Sequence, residues 1–159
     1  LGQLNYVFWR GDVAQLVNEI LATLHVHATQ RGIYLTEILP TKERIYVNAD
    51  QGKLKEVIIN LIDNSIKYTP KGEVKVSVGR HEGKIQIKVE DTGVGIEEDT
   101  MQVLFKEFSR ADIQKVNILG TGLGLYLAKI FIDAHKGRIW AESAGKNQGS
   151  QFFVELPEA

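Results

Sequence analysis

Four polar residues recur at helical spacing in the segment EVIINLIDNSIKYTP, and their types are those that hold charged ligands. At about 100° per residue, Glu56, Asn60, Asn64 and Lys67 fall within an arc of roughly 80°, whereas Leu54, Val57, Ile58, Leu61, Ile62 and Ile66 occupy the remainder. Most such stripes are solvated faces. Carboxamides, however, are poor helix formers that gain little from a surface position, and so wide an apolar surround implies a largely buried helix. One acid, two amides and a lysine in that setting can hold a cation and phosphates.

A second cluster, Asp91-Thr92-Gly93-Val94-Gly95, directly follows a run ending KVE. Two glycines one residue apart let backbone pass close to a ligand, and the neighbouring aspartate can accept a hydrogen bond from an exocyclic amine. A glycine-rich turn capped by an aspartate fits the same residues. An aspartic protease, which also uses Asp-Thr-Gly, would need a dimer of all-β chains, and three helical patterns argue against that. The third cluster, Gly120-Thr121-Gly122-Leu123-Gly124-Leu125, opens a helix, where backbone amides suit phosphate. A dinucleotide-binding turn would require glycine in place of Leu125, and fewer than 40 residues follow, too few for the remaining βαβ units.

The elements that carry these clusters follow from periodicity. Asp12 is placed to cap a helix whose apolar residues run from Val13 to Ala28 and which stops at Gly32. Residues 33–39 and 44–47 read as short strands, and Asp50 can cap a second helix reaching about Tyr68, before Pro70. Val74, Val76 and Val78 alternate with polar residues, as do Ile85, Ile87 and Val89, which predicts a hairpin around HEGK. A third helix spans 123–134, residues 138–142 and 152–156 close the chain as strands, and residues 109–120 are polar with little periodicity.

Composition bounds the class. A chain of 159 residues that is 43% hydrophobic and 25% charged is expected to fold as one compact domain. Its formal charge of −1 gives no global attraction to nucleic acid or anionic lipid, so neither partner is expected. With no cysteine there are no disulfides, thiolate metal sites or cysteine nucleophiles. No apolar run approaches the roughly 20 residues of a membrane span. The opening LGQLNYVFWRGD shows no leader pattern and reads as part of a longer protein.

In order and spacing, these clusters resemble the catalytic and ATP-binding domain of sensor histidine kinases, a branch of the Bergerat-fold superfamily that also holds DNA gyrase, a heat-shock chaperone and mismatch-repair ATPases. The resemblance runs from about Asp12 to Pro157: EVIINLIDNSIKYTP matches the asparagine box, DTGVGI the first glycine box, LFKEFSR the phenylalanine box, GTGLGL the second glycine box and GSQFFVELP the closing strand. The KYTP ending and the Phe105, Phe108 pair favour the kinase branch. The resemblance implies a two-layer α/β sandwich, with a mixed, largely antiparallel sheet covered on one face by three helices. Residues 1–11 would be a linker from an upstream dimerisation and phosphoacceptor domain, and 12–159 the catalytic domain.

Carried onto matching positions, the resemblance implies that Asn60 coordinates Mg²⁺, that Asn64 and Lys67 contact the phosphates of ATP, and that Tyr68 lies against the adenine. Asp91 would accept a hydrogen bond from the adenine amine, with Gly93, Gly95 and Ile96 closely approaching the base and Ser150 supporting that end through water. Arg110 would reach the terminal phosphates. Gly120, Thr121, Gly122, Leu123, Gly124 and Leu125 would end a lid spanning about 109–119 and line the phosphate site. Glu56 sits where the ATPase branches activate water, but a kinase must suppress hydrolysis, so an orienting or metal-shell role is implied. Phe105, Phe108, Trp140, Phe152 and Phe153 are read as packing.

The implied activity is donation of the γ-phosphate of Mg-ATP to a histidine on a separate domain of the same homodimeric sensor, of which this chain would be a cytoplasmic portion whether the sensor is soluble or membrane-bound, with a response regulator downstream. Asn60, Lys67, Arg110 and Glu56 would carry the catalysis. None of His25, His27, His81 or His135 has the acidic, basic and proline neighbours of a phosphoacceptor histidine, and His135 is read as a cation at a helix C-terminus. Alternatives within the same fold are a serine kinase of the anti-sigma type and a degenerate ATP sensor.

Overall fold

The structure, a computed structural model, describes residues 5–107 and 122–159. Strand β1 (Phe8–Asp12) leads into helix α1 (Val13–Gln30), followed by β2 (Ile33–Ile38), β3 (Tyr46–Asp50) and helix α2 (Gln51–Lys67). The hairpin β4 (Gly72–His81) and β5 (Lys84–Asp91) comes next, then the short helix α3 (Glu98–Val103), helix α4 (Gly122–Ala134) and strands β6 (Arg138–Glu142) and β7 (Ser150–Pro157).

Both long helices begin where their aspartates predict. The Asp12 carboxylate accepts from the Ala14 and Gln15 amides, and Asp50 accepts from Lys53, each satisfying donors that the first turn cannot pair internally. The main sheet has the order β2-β4-β5-β7-β6, with β2 parallel to β4 and every other pair antiparallel. The parallel pair is possible because the chain crosses over through β3 and α2 between the two strands. Alternation along β4 and β5 buries Val74, Val76, Val78, Ile85, Ile87 and Val89 on one face. Against them lie Ile58, Leu61, Ile62 and Ile66 of α2, with α1 flanking α2 and β2, and α4 flanking α2 and β6. The expected two-layer α/β architecture with a mixed sheet is therefore present.

The structure departs from the periodicity in three places. The second strand lies at Tyr46–Asp50 rather than 44–47, and it joins β1 in a separate two-stranded antiparallel sheet. Ile45, buried just before it, spends its carbonyl on the Val13 amide at 2.9 Å, which anchors the start of α1 instead of extending the strand. Phe8–Asp12 is a strand and Glu98–Val103 a helix, neither of which the hydrophobic pattern marks. Phe152 and Phe153, adjacent on β7, face opposite ways. Phe152 enters the core, whereas Phe153 stacks on Trp140 with centroids 4.9 Å apart and planes 7° from parallel.

His135, at the end of α4, is buried and ties three elements together. Its Nε2 accepts the Asp50 amide at 3.1 Å, its Nδ1 lies 2.8 Å from the Phe131 carbonyl, and the rings of Tyr6 and Phe8 pack on it. An imidazole with Nδ1–H donating and Nε2 accepting fits both bonds; an imidazolium has no acceptor for Asp50. Beyond the helix-end position expected for it, His135 clamps α4 to the start of α2.

Candidate functional site

At the end of β5, Asp91 sits between Val74 of β4 and Ser150 of β7 in the sheet register and is only 7% exposed. Its Oδ1 accepts the Gly93 amide at 2.9 Å and the Ser150 amide at 3.2 Å, and its Oδ2 accepts the Ser150 hydroxyl at 2.7 Å. Three donors fix the carboxylate plane. A carboxylate oxygen with one protein donor keeps acceptor capacity, so Oδ2 can take a further hydrogen bond. Ser150 reaches Asp91 directly.

The glycines that follow are required by the protein's own packing. A Cβ at Gly93 would collide with the Tyr68 carbonyl oxygen at the C-terminus of α2 and lie 2.7 Å from Thr69 Oγ1. Val94 donates its amide to that same Tyr68 carbonyl at 3.1 Å. Gly95 has φ +74°, and a Cβ there would strike the Gly145 carbonyl. The loop is thus pressed between the end of α2 and the segment joining β6 to β7. Thr69, buried and donating to the Ser65 carbonyl at 2.7 Å, completes the α2 side of this contact and was not marked by sequence. Gly149, with φ +70° and its α-carbon against the Asp91 carbonyl, completes the other side. Its only signal in the sequence is a glycine directly before Ser150.

The polar stripe of α2 is graded rather than uniformly enclosed. Asn60 and Asn64 are half-buried, whereas Glu56 and Lys67 are exposed. The Glu56 side chain, 72% exposed, pairs with Lys53 at 3.6 Å, and the Lys67 ammonium lies 5.6 Å from the centre of the Tyr68 ring. Asn60 abuts the first turn of α4: a Cβ at Gly124 would come within 2.7 Å of its carboxamide nitrogen. Between α2 and α4 runs a groove of about 230 Å³, walled by Lys53, Glu56 and Asn60 on one side, Gly124 and Phe131 on the other, with Tyr6 at its rim. No group of three or more histidine, aspartate or glutamate side chains among the described residues could enclose a metal ion.

Ile96 and Leu125 are buried among the core residues. Gly122 and Leu123 start α4. Phe108, Arg110, Gly120, Thr121 and the expected lid at 109–119 lie outside the described residues. The structure therefore brings together the asparagine helix, the first glycine loop and the described end of the second glycine cluster through two contacts, Tyr68 with Val94 and Asn60 with Gly124.

The sequence profile described as histidine kinase-, DNA gyrase B-, and HSP90-like ATPase matches residues 49–159. Histidine protein kinase DivJ of Caulobacter vibrioides is 34% identical over 147 residues, covering 92% of this chain and 24% of that protein. The circadian input-output histidine kinase CikA of Synechococcus elongatus is 37% identical over 92% of this chain and 20% of its own. The chain thus spans a quarter or less of the length of these relatives. Among solved structures, the nucleotide-free catalytic domain of the histidine kinase ThkA superposes with a TM-score of 0.79 at 28% identity, covering 96% of each chain. Full-length ShkA in complex with AMPPNP gives 0.80 at 25% identity, over 99% of this chain and 32% of that one.

Proposed function

The chain belongs to the histidine kinase-, DNA gyrase B- and HSP90-like ATPase family, and from that membership we propose that it binds Mg-ATP and presents the γ-phosphate to a histidine on a separate phosphoacceptor domain of a longer, homodimeric two-component sensor kinase. The observation that carries the reading is the convergence of the Asp91 loop and the start of α4 on one helix, α2, through Tyr68 and Asn60. The AMPPNP complex of the similar ShkA supports a nucleotide as the ligand.

In this reading the open acceptor site on Asp91 Oδ2 takes the exocyclic amine of adenine, and the two protein donors on Oδ1 keep the carboxylate from rotating away. Tyr68 lies against the base. Asn64 and Lys67, further along the same stripe, face the phosphates, and the amides at the start of α4 add donors with the positive end of the helix dipole. The Asn60 carboxamide oxygen suits Mg²⁺, a hard cation that keeps waters and phosphate oxygens as its other ligands, so a single protein oxygen without a carboxylate cluster is a fitting donor set. The cation, when bound, neutralises phosphate charge. Glu56, exposed and paired with Lys53, is read as an orienting group. What the domain contributes to transfer is orientation and charge complementarity, with no nucleophile of its own. A response regulator downstream and a cytoplasmic location belong to the same proposal.

The test is phosphoryl transfer between separated parts. Incubated with γ-labelled ATP and Mg²⁺, this domain is expected to label a phosphoacceptor domain taken from its parent protein while remaining unlabelled itself, and Asn60→Ala is expected to abolish the transfer. Acid-labile phosphate on His25, His27, His81 or His135 of the isolated domain, or no label on the acceptor, would overturn the reading.

A further inference from the structure

The loop that holds Asp91 is backed by residues 143–149, between β6 and β7, and the contacts between them form an irregular ladder. The Gly149 amide donates to the Gly93 carbonyl at 3.1 Å, and the Asn147 amide donates to the Val94 carbonyl at 2.6 Å. Backbone pairing does not continue to Ile96. Its amide donates instead to a side chain, the Ser143 hydroxyl, at 3.0 Å. That hydroxyl also accepts the Gly145 amide at 3.2 Å and donates to the Gly149 carbonyl at 2.7 Å. One donor and two acceptors are the full capacity of a serine hydroxyl.

Two arms run from Ser143 to the same carboxylate. Through Gly149 it fixes the residue that precedes Ser150, whose amide and hydroxyl orient Asp91; through Ile96 it fixes the far end of the turn that begins at Asp91 and includes Gly93 and Gly95. Gly145, Asn147 and Gly149, with φ values of +121°, +63° and +70°, are residue types that enter the left-handed region at little cost, but their backbone freedom leaves the segment's shape locally undetermined. A tertiary tie is needed, and the Ser143 hydroxyl is the side chain that joins both strands of the ladder.

We infer that Ser143 is a positioning residue for base recognition: it sets the place of the Asp91 carboxylate without touching the nucleotide, and so governs affinity for the adenine moiety independently of phosphate and metal. This inference rests on the nucleotide reading above.

Wild type, Ser143→Ala and Ser143→Thr are titrated with ADP, AMP and adenosine, and exchange of the Ile96 amide is followed by NMR in the unliganded proteins. Ser143→Ala is expected to bind all three ligands about fivefold to tenfold more weakly, the loss of roughly one well-made hydrogen bond. Ser143→Thr, which keeps the hydroxyl, is expected to restore affinity. The Ile96 amide is expected to be protected in wild type and the threonine variant and to exchange fast in the alanine variant. Unchanged affinity in Ser143→Ala, a loss confined to ADP, or a loss that threonine does not restore would overturn the inference. Fast exchange of Ile96 in wild type would do so even if the alanine variant failed to fold. A wild type that binds none of the three ligands overturns the nucleotide reading and this inference with it, and the amide data distinguish that failure from absence of the contact.

Discussion

Asp91 is a buried carboxylate whose orientation is set by the protein's own donors. Its donors come from its own loop and from the last strand, so the group is oriented before any ligand arrives. Asp91→Asn replaces an acceptor by a group that also donates and leaves a mismatch against an amine; ADP affinity by calorimetry is expected to fall by about 1–3 kcal/mol. The glycines separate into two kinds. At Gly93 an added methyl strikes a backbone carbonyl, which must move, and Gly93→Ala is expected to cost about 1–3 kcal/mol of stability in urea denaturation. At Gly124 the obstructing atoms belong to the Asn60 side chain, which can swing aside. Gly124→Ala is therefore expected to leave the denaturation midpoint nearly unchanged while weakening Mg-dependent ATP binding. Sequence marks both glycines; that Gly93 also makes room for the Tyr68 carbonyl, at the end of another element, is announced by no local pattern.

At the scale of elements, α2 depends on its first residue's neighbour. Asp50 caps the helix and also accepts the Val7 amide at 2.9 Å, and these backbone donors, Val7 foremost and then Lys53, hold its carboxyl below the usual carboxylate range. A lowered folded value means that the contribution is fully present above the ordinary carboxylate range and is lost as pH falls through the lowered value. Protection of the Val7 and Lys53 amides, measured relative to their intrinsic exchange at each pH, is expected to fall together as the protein is taken into that acid window, and Asp50→Asn, which keeps a capping oxygen, is expected to remove the pH dependence of that protection. The helices whose caps and apolar spacing are local, α1 and α2, were legible to the residue at their starts. Strand β1 was not, because FWRGD has no alternation and its partner β3 lies beyond α1 and β2 in the chain. The short α3 was missed for a related reason: six residues with one buried side chain leave no period to detect. Of the site, residue types and the order of the motifs were readable. The ladder between residues 91–96 and 143–149 was not, since two of its rungs join backbone groups, which carry no sequence signature, and the third ends on a serine hydroxyl that no local pattern marks.

At the scale of the molecule, long-range ties close the fold where sheet pairing stops. Arg80 of β4 grips Glu158 with Nε and Nη2 and reaches Glu43 with Nη1, joining the β2–β3 connection, the sheet and the last residues of the chain. The arrangement raises the guanidinium's hold on its proton and lowers the Glu158 carboxyl, though at so exposed a site solvent screens most of the benefit. The larger closure is made by β7. In the sheet order it lies between β5 and β6, so the final strand is an interior one and brings Ser150 to Asp91. This has a consequence for birth rather than for binding. During translation β5 and β6 leave the ribosome with a gap between them, and neither the sheet nor the carboxylate clamp can close until residues 150–157 have cleared the exit tunnel. Ribosome-stalled nascent chains halted before Ser150 emerges are expected to be digested readily by protease, and those extended beyond Pro157 to resist it. The domain is thus closed in one order, with the Asp91 carboxylate clamped only once β7 has taken its place between β5 and β6.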